Sequence, residues 1–139
     1  MQTFLPYDDY AKSANVLDRQ RLGKQRVETL QILKALSDPT YGWQNHPAVN
    51  MWRGYELELV CYGLAICDEW ITRGYKDTCR EKISIFYNNP NFGYEMPSWL
   101  GNQNLHLSHR SNLLRKMPEF YGSLFEKDLT NNLEYVWPV

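Results

Sequence analysis

Arg19, Arg21, Lys24 and Arg26 crowd together just ahead of one acid, Glu28, and Lys34 follows a little beyond. A carboxylate ringed by cations can steady positive charge on a substrate and relay protons, while guanidinium and ammonium groups beside it hold an anion such as phosphate. The plainer alternative is a solvated helix charge, Glu28 pairing with Lys24 four residues away for a few tenths of a kcal/mol. A second acid-free group contains His106, His109, Arg110, Arg115 and Lys116, with Ser108 among them. Most acids fall elsewhere, on Asp8, Asp9, Glu56, Glu58, Asp68, Glu69, Asp77, Glu81 and the C-terminal stretch. The formal net charge is −1, which argues against a strong non-specific grip on DNA, because that affinity comes from cations releasing phosphate counterions. A local anion site remains open.

Other chemistries find little footing. Cys61, Cys67 and Cys79 lie outside any CxxC spacing and have no histidine placed to complete a zinc site, so they read as free thiols, and no metal or cofactor is expected. No apolar run approaches the roughly 20 residues that span a bilayer, and Met1-Gln2-Thr3-Phe4-Leu5-Pro6 lacks the features of a secretory signal. A cytoplasmic protein with no membrane partner is the expectation. The aromatic residues, 14% of the chain, ordinarily build core, although Tyr7, Trp43, Trp99 or Tyr121 could stack on a base.

The elements that must position these groups are helical. One helix is expected from about Asp9 to Leu17 and a stronger one from Asp18 to about Leu36. Leu22, Val27, Leu30 and Leu33 form the inward face of that second helix, with Arg21, Lys24, Gln25 and Glu28 opposite. Gly23 in its middle costs about 1 kcal/mol against Ala. Close backbone packing or a bound anion would compensate; Arg19 and Arg26, angled toward the apolar side, either find an anionic partner or snorkel to water. Asn45-His46-Pro47 reads as a helix start, opening a long apolar helix from about Pro47 to Arg73 that Gly74 stops. Asp77 caps a further helix to about Tyr87, and 87–102 is a long loop. Helices over Ser108 to Lys116 and Pro118 to Phe125 follow, with Tyr135-Val136-Trp137-Pro138 packing back on the core. The expected fold is all-α, a compact single domain over 1–139 with about five to six helices around a long central apolar helix.

Three stretches resemble the pyrimidine-dimer DNA glycosylase (endonuclease V-like) family, in that family's order. Leu17-Asp18-Arg19-Gln20-Arg21-Leu22, continuing to Val27-Glu28, looks like the helix that carries the family's catalytic glutamate. Gly42-Trp43-Gln44-Asn45-His46-Pro47 is similar to a Gly-aromatic-x-Asn-His-Pro signature, and Arg73-Gly74-Tyr75 falls at the matching distance beyond it. Ser108-His109-Arg110 through Met117-Pro118-Glu119-Phe120-Tyr121 resembles the family's C-terminal pattern. The resemblance implies base excision by an N-terminal amine, which attacks C1′ of a nucleotide, expels the base and leaves an imine from which the strand is cleaved by elimination. An α-amine suits the role because its ordinary pKa of about 7.7 to 8.0 leaves much of it unprotonated near neutrality. Gln2 is bulky, so Met1 is expected to be retained; either Met1 supplies that amine itself or the active site has been repurposed.

These readings place catalysis on Met1 and Glu28, and nucleotide or phosphate binding on Arg19, Arg21, Lys24, Arg26, Asn45, His46, Ser108, His109 and Arg110. The partner is DNA or a small nucleotide ligand. One function is a phage or bacterial DNA repair glycosylase with lyase action on damaged or modified pyrimidines. Another is a non-catalytic nucleotide-binding protein on the same fold, such as a sponge for a signalling nucleotide, and the blandest is a basic patch for an acidic protein partner.

Overall fold

The computed structural model describes residues 1–138 and is all-helical over them, with no strand. Its helices are α1 (Tyr10–Val16), α2 (Arg19–Ser37), α3 (Pro47–Asn50), α4 (Glu56–Thr72), α5 (Arg80–Ser84), α6 (Gln103–Lys116) and α7 (Pro118–Tyr121), with a 3-10 turn over Ile85–Asn88 after α5. Seven α-helices among the described residues exceed the five to six expected because some are single short turns.

Capping chemistry sets the first boundaries. Asp9 accepts from Lys12 N at 2.8 Å to start α1, and Asp18 accepts from Arg21 N at 3.2 Å to start α2, each satisfying a backbone donor that a helix N-terminus leaves free. The Arg73 guanidinium, paired with Glu69 at 2.8 Å, reaches back to the carbonyls of Ala14, Asn15 and Leu17. One side chain thus satisfies the C-terminal carbonyls of α1 and ties it to the end of α4.

The helix expected over 47–73 is broken. After α3 the chain turns through Met51–Tyr55, where Gly54 takes φ +88°, a conformation open to glycine at no steric cost. Glu56, 8% exposed, fixes the break: its carboxylate accepts from Gly54 N and Gly93 N, each at 2.7 Å. Gly93 sits so close that a Cβ there would lie 2.1 Å from Gly54 O. The longest helix is consequently α2, at 19 residues, rather than a continuous central apolar one. Its neighbour α4 packs against α1, α2 and α5.

The inward face of α2 also differs from expectation. Val27 is 46% exposed, whereas Gln25 and Thr29 are buried beside Leu22, Ile32 and Leu33. Counted at 100° per residue from Leu22, Thr29 and Leu33 lie about 20° to either side, and Val27 is about 140° away. The polar Gln25 occupies a core position for which apolarity alone gives no signal. Gly23 is there for close packing, since a Cβ would meet the Trp70 ring at 3.1 Å.

α6 begins at Gln103, five residues before the expected Ser108, after the cap Asn102, whose side chain accepts from Asn104 N at 3.0 Å. Its buried face includes His106, Ser108, His109, Ser111 and Asn112, so hydrophobic periodicity misses its first turn. The tail packs back as expected: Val136 N donates to Ser108 Oγ and Leu133 N to Ser111 Oγ, both at 3.1 Å.

Gly63 on α4 offers a packing test. A Cβ there would stand 2.8 Å from Thr29 Cγ2 and 3.1 Å from Ile83 Cγ2, methyls held in the core. Overpacking costs about 1–3 kcal/mol and the helix-propensity gain recovers at most about 1. Gly63→Ala is therefore expected to lower stability by on the order of 1 kcal/mol in urea unfolding.

Candidate active site

Residues 2–6 run extended and buried through a helical protein, with no strand alongside. Their backbone groups must still be satisfied, and side chains do it. The Gln25 carboxamide accepts from Phe4 N at 2.9 Å and donates to Gln2 O at 2.8 Å. Tyr62 Oη donates to Phe4 O at 2.8 Å. His109 Nδ1 accepts from Leu5 N at 2.9 Å, and His106 Nδ1 lies 2.8 Å from Leu5 O. Arg110 donates to Pro6 O at 2.7 Å. Trp52 Nε1 holds the buried Thr3 hydroxyl at 3.0 Å.

This clamp delivers the start of the chain to Glu28. Glu28 Oε2 accepts from Gln2 N at 3.3 Å and from Gln25 Nε2 at 3.1 Å. Met1, Gln2 and Glu28 line a cavity of about 330 Å³ whose wall also carries Arg21, Lys24, Lys116 and Tyr135. Acid and cations therefore face one space. A second, wider concavity of about 770 Å³ lies across the same helix, bounded by Arg19, Val27 and Trp70, and it shares Gln20, Lys24 and Glu28 with the first.

His46 stands close enough to feel both charges. Burial and the positive amine of Met1 push its imidazole below the usual range, and the Glu28 carboxylate pulls the other way. Its Nδ1 accepts from Ala48 N at 3.0 Å, so the neutral ring carries its proton on Nε2. Tyr62, wholly buried, is raised well above its usual range by burial and then by the Glu28 charge, which keeps it a donor to Gln25 and Phe4.

The residues singled out from the sequence divide into two sets. Met1, Glu28, Arg21 and Lys24 meet at the cavity, and Arg19 lines the adjoining concavity. Arg26 instead pairs with Asp77 at 2.7 Å and lies 4.3 Å over the Trp70 ring, bracing α2 against the turn after α4. Ser108 donates to Leu105 O and receives the tail, His109 is buried against Leu5, and Arg110 joins Pro6 to Glu126. Asn45 is exposed, and its carbonyl accepts from Asn50. Gln2, Gln25, Lys116 and Tyr135 belong to the site without having been foreseen. Only Lys116 left a trace, as a member of the second acid-free group, whereas Gln25 was expected on the face of α2 opposite the core and is buried in it.

The geometry defines a helical protein that holds its N-terminal segment rigidly against a carboxylate in a cation-lined cavity. The model of the pyrimidine dimer DNA glycosylase family matches residues 1–82, and the chain belongs to that family. No curated protein and no solved structure matches it. The match covers the N-terminal segment, Glu28 and His46, while α6 and the tail lie beyond it. Its membership makes this a DNA glycosylase-like protein, with DNA as the partner class. No helix among the described residues is long and apolar enough to cross a membrane, and no group of side chains among them is arranged to hold a metal ion.

The histidine clamp makes stability depend on pH. Burial, and then the neighbouring His106, push His109 down to about 3, and burial lowers His106 as well. The unfolded chain takes up these protons near the ordinary pKa of about 6.5, while the folded chain resists until far lower. Stability is whole above that value and falls with acidification, by up to about 1.4 kcal/mol per pH unit for His109 down to its folded value. Asp18, which burial alone would raise, is held below the usual range by Tyr121 and Arg21, so its contribution is lost only further down. The urea midpoint should decline steadily from pH 6.5 to 4; a flat profile over that range would contradict a neutral clamp.

Proposed function

We propose that this protein is a DNA glycosylase with lyase action on damaged or modified pyrimidines, working through the α-amine of Met1 and the carboxylate of Glu28. The observation that carries the reading is the 3.3 Å bond from Gln2 N to Glu28 Oε2, which sets the amine one residue from the acid on a segment that the core holds fast. An unprotonated amine attacks C1′ of the nucleotide; the glycosidic bond breaks, and the base departs with its electron pair and takes up a proton. Glu28 offsets the positive charge that develops on the sugar and relays protons. Opening of the sugar gives an imine on the Met1 nitrogen. Loss of a C2′ proton expels the 3′ phosphate, and water then releases the chain end.

Arg21, Lys24 and Lys116 surround the cavity and suit the phosphates on either side of the reacting sugar. Arg19, in the adjoining concavity, extends that cationic edge along the strand. A cavity of about 330 Å³ lies within the range of small-ligand sites, which accords with one nucleotide turned out of the helix rather than an intact duplex. His46, with its Nε2 proton and its sensitivity to both Met1 and Glu28, is assigned to binding the nucleotide beside them.

Borohydride added to the protein with ultraviolet-irradiated duplex is expected to trap a covalent adduct. Glu28→Gln should lower the rate of trapping by about 10²–10⁴-fold, the usual worth of a positioned acid–base group, and acetylation of the Met1 amine should abolish it. Intact mass of the adduct identifies the attached residue. Absence of adduct with irradiated, abasic and modified-base duplexes alike would remove the catalytic reading. Tight calorimetric binding of a free nucleotide without affinity for DNA would replace it with the nucleotide-holding one.

A further inference from the structure

The loop between α2 and α3 carries an exposed aromatic residue in a strained backbone. Trp43 has φ +70°, the one positive φ outside glycine among the described residues, and its side chain is 55% exposed. A bulky L-residue held there costs on the order of 1–3 kcal/mol and persists only where its surroundings impose the conformation. They do so here. Gln44 Nε2 lies 2.8–2.9 Å from the carbonyls of Ala35, Asp38 and Tyr41, Arg53 donates to Gln44 O at 2.8 Å, and His46 N donates to Trp43 O at 3.0 Å. The backbone on both sides of Trp43 is pinned, and the indole is presented outward without a core to fill.

Its position ties it to the cavity. The Trp43 ring meets His46 edge-on at 5.8 Å, His46 meets Trp137 at 6.2 Å, and Trp137 meets Tyr135 at 5.8 Å. Tyr135 lines the cavity together with Met1 and Glu28. A continuous row of rings therefore runs from the cavity to the surface and ends at the indole. Arg21 and Lys24 from α2 and Lys116 from the end of α6 line the cavity for phosphates, and the row of rings leading away from it offers faces for bases. Nucleobases stack on such rings whatever their identity.

We infer that Trp43 is a preformed stacking platform for an unpaired DNA base next to the nucleotide in the cavity, and a determinant of affinity for distorted over intact duplex. The inference rests on the function proposed above. Because the backbone that carries the indole is already pinned, little loop ordering is needed on binding, which is what a preorganised anchor contributes. Relief of the strained backbone and loss of the stacking surface should then have opposite effects, one on the free protein and the other on the complex.

The test uses a fluorescent duplex with a single tetrahydrofuran abasic analogue flanked by 2-aminopurine, titrated with the full-length protein. Trp43→Ala is expected to bind about tenfold or more weakly, Trp43→Phe within a few-fold of the parent, and the parent alone should quench 2-aminopurine strongly. Trp43→Gly, free of the strain, should melt at or above the parent temperature and yet bind as weakly as Trp43→Ala. Equal affinity of Trp43→Ala and parent, or quenching that survives the substitution, overturns the platform. Adduct formation by the parent on irradiated or natural abasic duplex in that case leaves the catalytic reading standing. Conversely, Trp43-dependent binding to the tetrahydrofuran duplex without any adduct on irradiated, natural abasic or modified-base duplex retains the platform and removes catalysis, and a parent that binds no duplex removes both.

Discussion

An extended segment buried among helices creates a demand that helices themselves cannot meet, because their backbone donors and acceptors are already used along their own axes. Residues 2–6 present that demand, and Gln25, Tyr62, His106, His109 and Arg110 answer it. Each is a polar side chain placed where an apolar one would have packed more simply. A buried N–H or C=O left without such a partner costs about 1–3 kcal/mol, so losing any of them loosens the segment. The buried histidines of α6 and the glutamine inside α2 follow from this one constraint.

The same bonds connect architecture to chemistry. Gln25 uses its carboxamide oxygen on Phe4 N and Tyr62, and its nitrogen on Gln2 O and Glu28. The acid and the start of the chain therefore share one fixed reference point. Reacting groups aligned in this way need little rearrangement. Around them Arg21, Lys24 and Lys116 supply positive potential locally in a chain of net charge −1, and Asp18 and Asp77 hold Arg21 and Arg26 in separate directions.

Much of this was legible where a local rule governs the outcome. Asp9 and Asp18 start their helices because short polar side chains cap well, Gly23 packs against Trp70, and the aromatic tail returns to the core. Glu28 stood out as the sole acid among cations, and the structure brings it to Met1, Arg21 and Lys24. The break at Gly54 was hidden because it depends on Gly93, far along the chain, pressing onto it. His109 and Arg110 looked like surface ligands for the same reason: their partners, Leu5 and Pro6, are distant in sequence. Tyr135 and Lys116 reach the cavity only through tertiary folding, which no local spacing encodes.

The clamp also orders the events of folding. The bonds from His109 to Leu5 and from Arg110 to Pro6 each close a separation of 104 residues, and long-range closures of this kind come late, after nearer contacts have formed. During synthesis, α1, α2 and α4 have all emerged before α6 exists to grip the leading residues. Residues 2–6 are thus fully seated only once α6, far along in this sequence, is in place, and until then the bonds from α2 and α4 hold them without it.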